Sequence, residues 1–249
     1  MFKPYDHYGD RLNSYDLLKL LALAAMVLDH IGYYLMPDVP WLRAVGRVAF
    51  PLFLFLVGYS GVWTVKKDIF LWALVLTACN LFAYNELVPF TILVSIMLVR
   101  LVMGRLLKHF RPGVVLVAIF FAVCVLTYDA TGFLDYNSIA FLFSMSGYLQ
   151  RERPRSALTL IFLYMSMGFH YFVELTVFHD FFTKTDTAIM TLGLAVVLVL
   201  MHRFTIKAVP ANWIPKGARR VLMWASRNTL HLYGIHVALI IGLACLLRH

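Results

Sequence analysis

Apolar stretches of about twenty residues recur along the chain, separated by short polar turns. An α-helix rises 1.5 Å per residue, so about 20 apolar residues cross the roughly 30 Å hydrocarbon core of a bilayer. Nine such windows are readable, at 17–36, 42–62, 69–87, 88–104, 113–128, 133–150, 156–178, 186–204 and 220–247. Arg100 interrupts the fourth, and Asp135, Tyr136 and Asn137 open the sixth, so eight helices are the alternative to nine. The pattern predicts an all-α, polytopic helical bundle forming a single integral membrane domain over 1–249. Asp29 and His30 lie inside the first window, which is too long for a signal-peptide core and has no Ala-x-Ala pattern after it. It therefore reads as a retained helix.

Composition agrees: of 249 residues 61% are hydrophobic, and the mean hydropathy is +0.78. The formal net charge of +9 is distributed by topology. In a nine-helix chain one side collects Lys3, Arg11, Lys19, Lys66, Lys67, Arg105, Lys108, Arg111, Arg151, Arg153, Arg155, Arg203, Lys207, Lys216, Arg219 and Arg220, sixteen of the twenty-two basic residues. The positive-inside rule then predicts a cytoplasmic N-terminus and a C-terminus outside. Topology accounts for the basic balance, and no nucleic-acid partner is expected. Cys79, Cys124 and Cys245 all sit in apolar windows without Cys-x-x-Cys spacing, as small packing residues do. No metal site is expected.

An ionisable residue inside a bilayer costs roughly 2.5–3.5 kcal/mol on insertion scales, which makes it a functional candidate. Asp29 and His30 lie about 18 Å along the first helix. The next window answers with Arg43 and Arg47, one turn apart and close enough across a short connection to meet Asp29. Ala22, Ala25, Asp29 and Gly32 share one helix face, and small residues admit a neighbouring helix, so Asp29 is expected to face protein. Asn80, Asn85-Glu86, Asp135, Asn137, His170 with Glu174, and His236 fall at a similar height in other windows. Six segments therefore bring polar groups to the outer half of the bundle.

Each has a structural reading beside the chemical one. Asp29–Arg47 serves equally as an ion pair locking two helices, His30 as a donor to a carbonyl or headgroup, and Asn80, His170 and Glu174 as interhelical hydrogen-bonding groups. Asp135 and Asn137 suit helix caps. On the basic side, Arg100, Arg105 and the Arg151–Arg155 run, with Arg219, Arg220 and Arg227, are capable of binding phosphates, and equally serve topology. Arg227 stands apart: with Ser226 and Asn228 it lies about one turn inside the last window, where no topology signal is needed.

Lys19 to Gly32, KLLALAAMVLDHIG, followed by Gly46-Arg47-Val48-Ala49-Phe50-Pro51-Leu52-Phe53-Leu54-Phe55, resembles the opening signature of the TraX family. That family takes its name from a conjugation-system membrane protein that N-acetylates F-type pilin. Leu232-Tyr233-Gly234-Ile235-His236-Val237 is similar to the family's aromatic-x-x-His-Leu ending, with Gly234-Ile235 in place of an aromatic-Pro pair, and Pro89-Phe90-Thr91 is a further anchor. Ala49 to Gly58 also resembles a segment of the broader transmembrane acyltransferases, the class of lysosomal heparan-α-glucosaminide acetyltransferase.

The resemblance implies acetyl transfer from cytoplasmic acetyl-CoA, the donor substrate, to a pilin amine or a glycan hydroxyl or amine at the outer face. On that expectation His30 is the base, Asp29 and Arg47 tune or stabilise the site, and His236 is a second candidate base. Arg227, Ser226, Asn228, Arg100 and Arg105 are the expected donor ligands, and Arg43, Asn80, His170 and Glu174 the expected acceptor ligands. Two other classes stay open: a proton-coupled transporter, and a non-catalytic subunit of a pilus or secretion assembly.

Overall fold

Asn13 starts the bundle. Its side chain accepts from the backbone N–H groups of Tyr15 and Asp16, and Asp16 returns a bond to the Asn13 N–H. This capping box begins the first helix, α1 (Ser14–Tyr34), ahead of the apolar run. The computed structural model describes residues 11–85, 90–134, 136, 138–210 and 212–248. Lys3, Glu86, Pro89, Asp135 and Asn137, singled out in the sequence, lie outside the described residues.

The second window is two helices, α2 (Pro40–Gly46) and α3 (Ala49–Ser60), instead of one. Pro51 has no N–H for the Arg47 carbonyl four residues back, and its ring crowds that carbonyl. The hydrogen-bond ladder therefore breaks at Arg47–Val48, and Arg47 stands at the break. Then follow α4 (Lys67–Tyr84), α5 (Ile92–His109), α6 (Val114–Leu126), a 3-10 turn (Asp129–Thr131), α7 (Ile139–Glu152), α8 (Ala157–Val177) and α9 (Lys184–His202).

The ninth window is also divided, into α10 (Lys216–Arg227) and α11 (Thr229–Arg248). Asn228 bonds the Trp224 carbonyl through both its backbone N–H and its side chain, and the Thr229 hydroxyl donates to the Ser226 carbonyl at 2.7 Å. These side chains take carbonyls that a continuous helix would use. Arg227 thus closes α10 at a break and does not sit one turn inside a long helix.

Among the described residues, six helical stretches have the length and apolarity of a bilayer crossing: Ser14–Tyr34, Pro40–Ser60, Lys67–Tyr84, Ala157–Val177, Lys184–His202 and Thr229–Leu247. The other three windows fall short for distinct reasons. Arg100, Arg105 and Lys108 lower the apolarity of α5, whereas α6 and α7, with 13 and 14 residues, each span only about 20 Å.

The short α7 is nonetheless the axis of the fold, with ten of its residues buried. It crosses α3 at backbone contact. A Cβ on Gly147 would lie 2.8 Å from the Phe55 carbonyl carbon, and one on Gly58 2.6 Å from that of Ser144. Ser144 Oγ fastens the crossing by donating to the Leu54 carbonyl at 3.2 Å. Small residues at such a crossing are how membrane helices gain packing where no hydrophobic force separates lipid from protein. Outward, Phe82, Leu126 and Leu246 are 89%, 83% and 76% exposed, an apolar exterior suited to acyl chains.

Candidate functional site

Gly46 decides where Asp29 can sit. A Cβ there would lie 2.6 Å from Asp29 Oδ1, so α1 and α2 meet with the carboxylate pressed against the end of α2. From that seat Asp29 receives Arg43 Nη1 on Oδ2 at 3.4 Å and Arg47 Nη2 on Oδ1. Arg47 Nη1 is 3.8 Å from Glu174 Oε1, which His170 Nδ1 also approaches at 3.8 Å from one turn earlier on α8. Asp29, Arg47, His170 and Glu174 are all at most 6% exposed. Two guanidinium groups thus face two carboxyl groups inside the bundle, and pairing is the condition under which buried charge survives in a membrane. Aromatic rings complete the seat: Arg43 lies 4.7 Å from the Tyr33 ring centroid and Arg47 5.0 Å from that of Phe178.

His30, one residue on and about 100° round the helix, faces α11 instead. Its Nδ1 is 2.9 Å from His236 Nε2, and His236 Nδ1 is 2.9 Å from the Leu232 carbonyl oxygen. A carbonyl only accepts, so His236 carries its proton on Nδ1 and, when neutral, presents a bare Nε2. His30 must then donate from Nδ1, which leaves the lone pair of neutral His30 on Nε2. This tautomer assignment follows from the bonding pattern.

His30 lines a cavity of about 590 Å³ together with Asp29, Arg43, Arg47, Asn80, His170, Glu174 and six tyrosines. His236 is not among the lining residues and stands behind His30. Asn80 Oδ1, Thr91 Oγ1, Glu174 Oε2, Arg47 Nε and His170 Nε2 belong to residues of this wall, are buried, and have no hydrogen-bond partner within the protein. Buried polar atoms are nearly always paired, so these atoms leave the wall with capacity to bond water or polar groups of a guest.

A second cavity, about 260 Å³, lies toward the end of the bundle where α1 begins. Lys19, Lys66, Arg100 and Arg227 line it, and among the described residues no Asp or Glu does, although Asp16 lies close to Lys19. Lys19 Nζ donates to the Ser226 carbonyl at 2.6 Å and Arg100 Nη1 to the Thr64 carbonyl at 2.9 Å, which fixes both chains at the rim. Its inner walls are apolar, including Phe53, Leu56 and Ile96. Met26, Ile92 and Tyr233 line both cavities and separate them.

The expected acceptor ligands Arg43, Asn80, His170 and Glu174 therefore share one cavity with Asp29, His30 and Arg47. The expected donor ligands do not all meet. Arg100 and Arg227 reach the second cavity, but Arg105 is exposed and turned back on the Leu101 carbonyl, Ser226 Oγ is buried on Asp16 Oδ1 at 2.6 Å, and Asn228 bonds its own helix. Lys19 and Lys66 take their place; in the sequence they look like topology charges, and only the packing of α1 against α10 and α11 reveals them.

The TraX protein family model matches residues 14–244, nearly the whole described chain. The chain belongs to the TraX family. Asp29, His30, Arg47, His236 and both cavities fall within the matched span. The chain is also similar to uncharacterized protein RP591 of Rickettsia prowazekii (strain Madrid E), at 26% identity over 242 residues, covering 93% of this chain and 92% of that protein. No solved structure matches it.

Proposed function

We propose that this TraX-family protein is a membrane-embedded acyltransferase that moves an acetyl group from acetyl-CoA to an amine or hydroxyl acceptor on the opposite side of the bundle. The observation that carries the reading is the pair of cavities: one cationic, one polar with a histidine pair, separated beside His30 by three side chains. The donor is a polyanion with a long neutral arm, which suits a cavity lined by four cations and floored with apolar residues. Lys19 and His30 are eleven residues apart on α1, about 16 Å along its axis, a reach for which a phosphopantetheine arm is suited. The charge distribution supports a cytoplasmic basic cavity.

In the proposed reaction the acceptor N–H or O–H gives its proton to His30 Nε2 as its heteroatom attacks the thioester carbonyl. The resulting oxyanion collapses, breaks the C–S bond, and the departing thiolate takes the proton back from His30 Nε2. His236 accepts the His30 Nδ1–H bond and spreads the transient charge over two rings. Arg43 and Arg47, held by Asp29 and Glu174, supply positive potential near the oxyanion. The bare Nε2 is equally suited to take the acetyl group itself and hand it on, with the acceptor arriving second.

The test is acetyl-CoA binding and slow thioester hydrolysis by the protein in nanodiscs, for wild type, His30→Ala and Arg47→Ala. Saturable binding with turnover lost in His30→Ala supports the reading; no binding at millimolar acetyl-CoA overturns it. Cavities approaching from opposite ends also suit a carrier, the one rival that this geometry favours. A carrier would exchange solute across proteoliposomes without cleaving a thioester.

A further inference from the structure

α10 has one buried residue, Ser226, and through it the helix is fastened to α1. Ser226 Oγ donates to Asp16 Oδ1 at 2.6 Å, and the Ser226 carbonyl accepts from Lys19 Nζ at 2.6 Å. Asp16 and Lys19 stand in the first two turns of α1, so these bonds hold the end of α10 at the level where α1 begins. On its other side only Asn228 separates α10 from α11, whose Thr229–Leu247 stretch has the length and apolarity of a crossing. α10 itself, with 12 residues, is about 18 Å long and does not cross. Tied to the ends of two crossing helices, it lies at the membrane border.

The sequence sorts the faces of this helix at about 100° per residue. Lys216, Arg220 and Arg227 fall on one strip about 40° wide, and all three are exposed. Trp224 and Val221 form the neighbouring strip and are 59% and 64% exposed. Ser226 lies about 160° from Trp224, toward the bundle. Trp213, just ahead of the helix, is 75% exposed. No Asp or Glu follows Asp186 in the sequence, so no acidic residue of this segment offsets the basic strip. Trp and an aliphatic residue beside a strip of Lys and Arg are the composition of a helix that lies in a lipid interface.

We infer that α10 is a surface-lying helix that binds anionic phospholipid, with Val221 and Trp224 among the upper acyl chains and Lys216 and Arg220 on the headgroup phosphates. The apolar strip favours any lipid, and the cations select the anionic ones. A face that starts one residue from a crossing helix meets lipid before any soluble partner. The contact is independent of the acyltransferase reading, because Lys216, Arg220, Val221 and Trp224 line neither of the two cavities.

The experiment reads the Trp224 share of tryptophan fluorescence, wild type minus Trp224→Phe, in phosphatidylcholine nanodiscs. These carry a fixed minor fraction of a chain-brominated quencher lipid, either phosphatidylglycerol or phosphatidylcholine. Brominated phosphatidylglycerol should quench Trp224 severalfold more than brominated phosphatidylcholine at equal mole fraction, since each basic side chain at an anionic surface favours it by about fivefold. Lys216→Gln/Arg220→Gln should bring the two quenchers to parity, and so should about 1 M salt, where the Debye length is about 3 Å. The salt arm uses the unaltered protein and holds even where a variant folds poorly. Equal quenching by both lipids in wild type at low salt would overturn the anionic site. Quenching by neither would overturn the surface-lying helix as well and leave the Trp224 face to water or to a protein.

Discussion

His236 Nδ1 is committed to the Leu232 carbonyl at 2.9 Å, and this single bond settles which nitrogen of His30 is basic. On the proposed reading the two histidines have unequal work: His30 would meet the guest, and His236 would orient His30 and share its charge. His30→Ala should lower thioester hydrolysis by about 10²–10⁴-fold, the usual contribution of a positioned acid–base group. His236→Ala should cost less, on the order of tenfold. His236→Gln, whose amide oxygen can accept from His30 Nδ1–H, should recover part of that loss. Steady-state rates of the three variants in one lipid composition check the order; equal loss in all three would contradict the division of roles.

Breaking the Asp29–Arg47 pair leaves one charge buried without its partner. Arg47→Leu should destabilise the fold by about 3–5 kcal/mol, visible as a marked fall in the detergent melting temperature. The double variant Asp29→Leu/Arg47→Leu should recover much of that stability without recovering turnover. Thermal melts read beside hydrolysis rates separate the two effects, and a double variant no more stable than Arg47→Leu would contradict the pairing.

Gly46→Ala tests the seat of Asp29 without touching any charge. The added methyl has no space beside Oδ1, so the expected cost is about 1–3 kcal/mol, the usual penalty of overpacking. Gly217→Ala, where nothing lies within 4 Å, is the control and should be neutral or slightly stabilising.

Arg100→Gln and Arg227→Gln should weaken acetyl-CoA binding by roughly tenfold each, the loss of one charge-assisted contact of about 1.5–3 kcal/mol offset by neighbouring cations. Arg105→Gln, outside the cavity, should leave affinity unchanged. Titration calorimetry in nanodiscs reads all three.

Much of the polar cavity is legible in the sequence because it rests on local spacing. Asp29 and Arg47 flank a short connection, Gly32 and Gly46 let their helices close on each other, and His170 and Glu174 share a face by a four-residue step. What spacing does not carry is contact between distant segments. His30 and His236 lie 206 positions apart, so each looks like an independent base until α1 and α11 are seen packed together. Lys19 and Lys66 satisfy the positive-inside pattern wherever they point, and that rule masks their place on a cavity wall. The division of the second window was signalled by Pro51, four residues after Arg47, but an apolar window averages over a missing N–H. Residue hydropathy likewise does not reveal that α7 is short and turns its apolar faces inward to protein.

A bilayer ordinarily insulates through roughly 30 Å of hydrocarbon. On the proposed reading the two cavities open to opposite sides of the membrane, and the insulation between them is reduced to the thickness of Met26, Ile92 and Tyr233, which line both. A transmembrane voltage would then be concentrated across that wall, beside His30. A unit charge crossing it would experience close to the full electrical work, about 2.3 kcal/mol per 100 mV. The proposed chemistry would thereby be coupled to the energised state of the membrane, whichever group carries the proton.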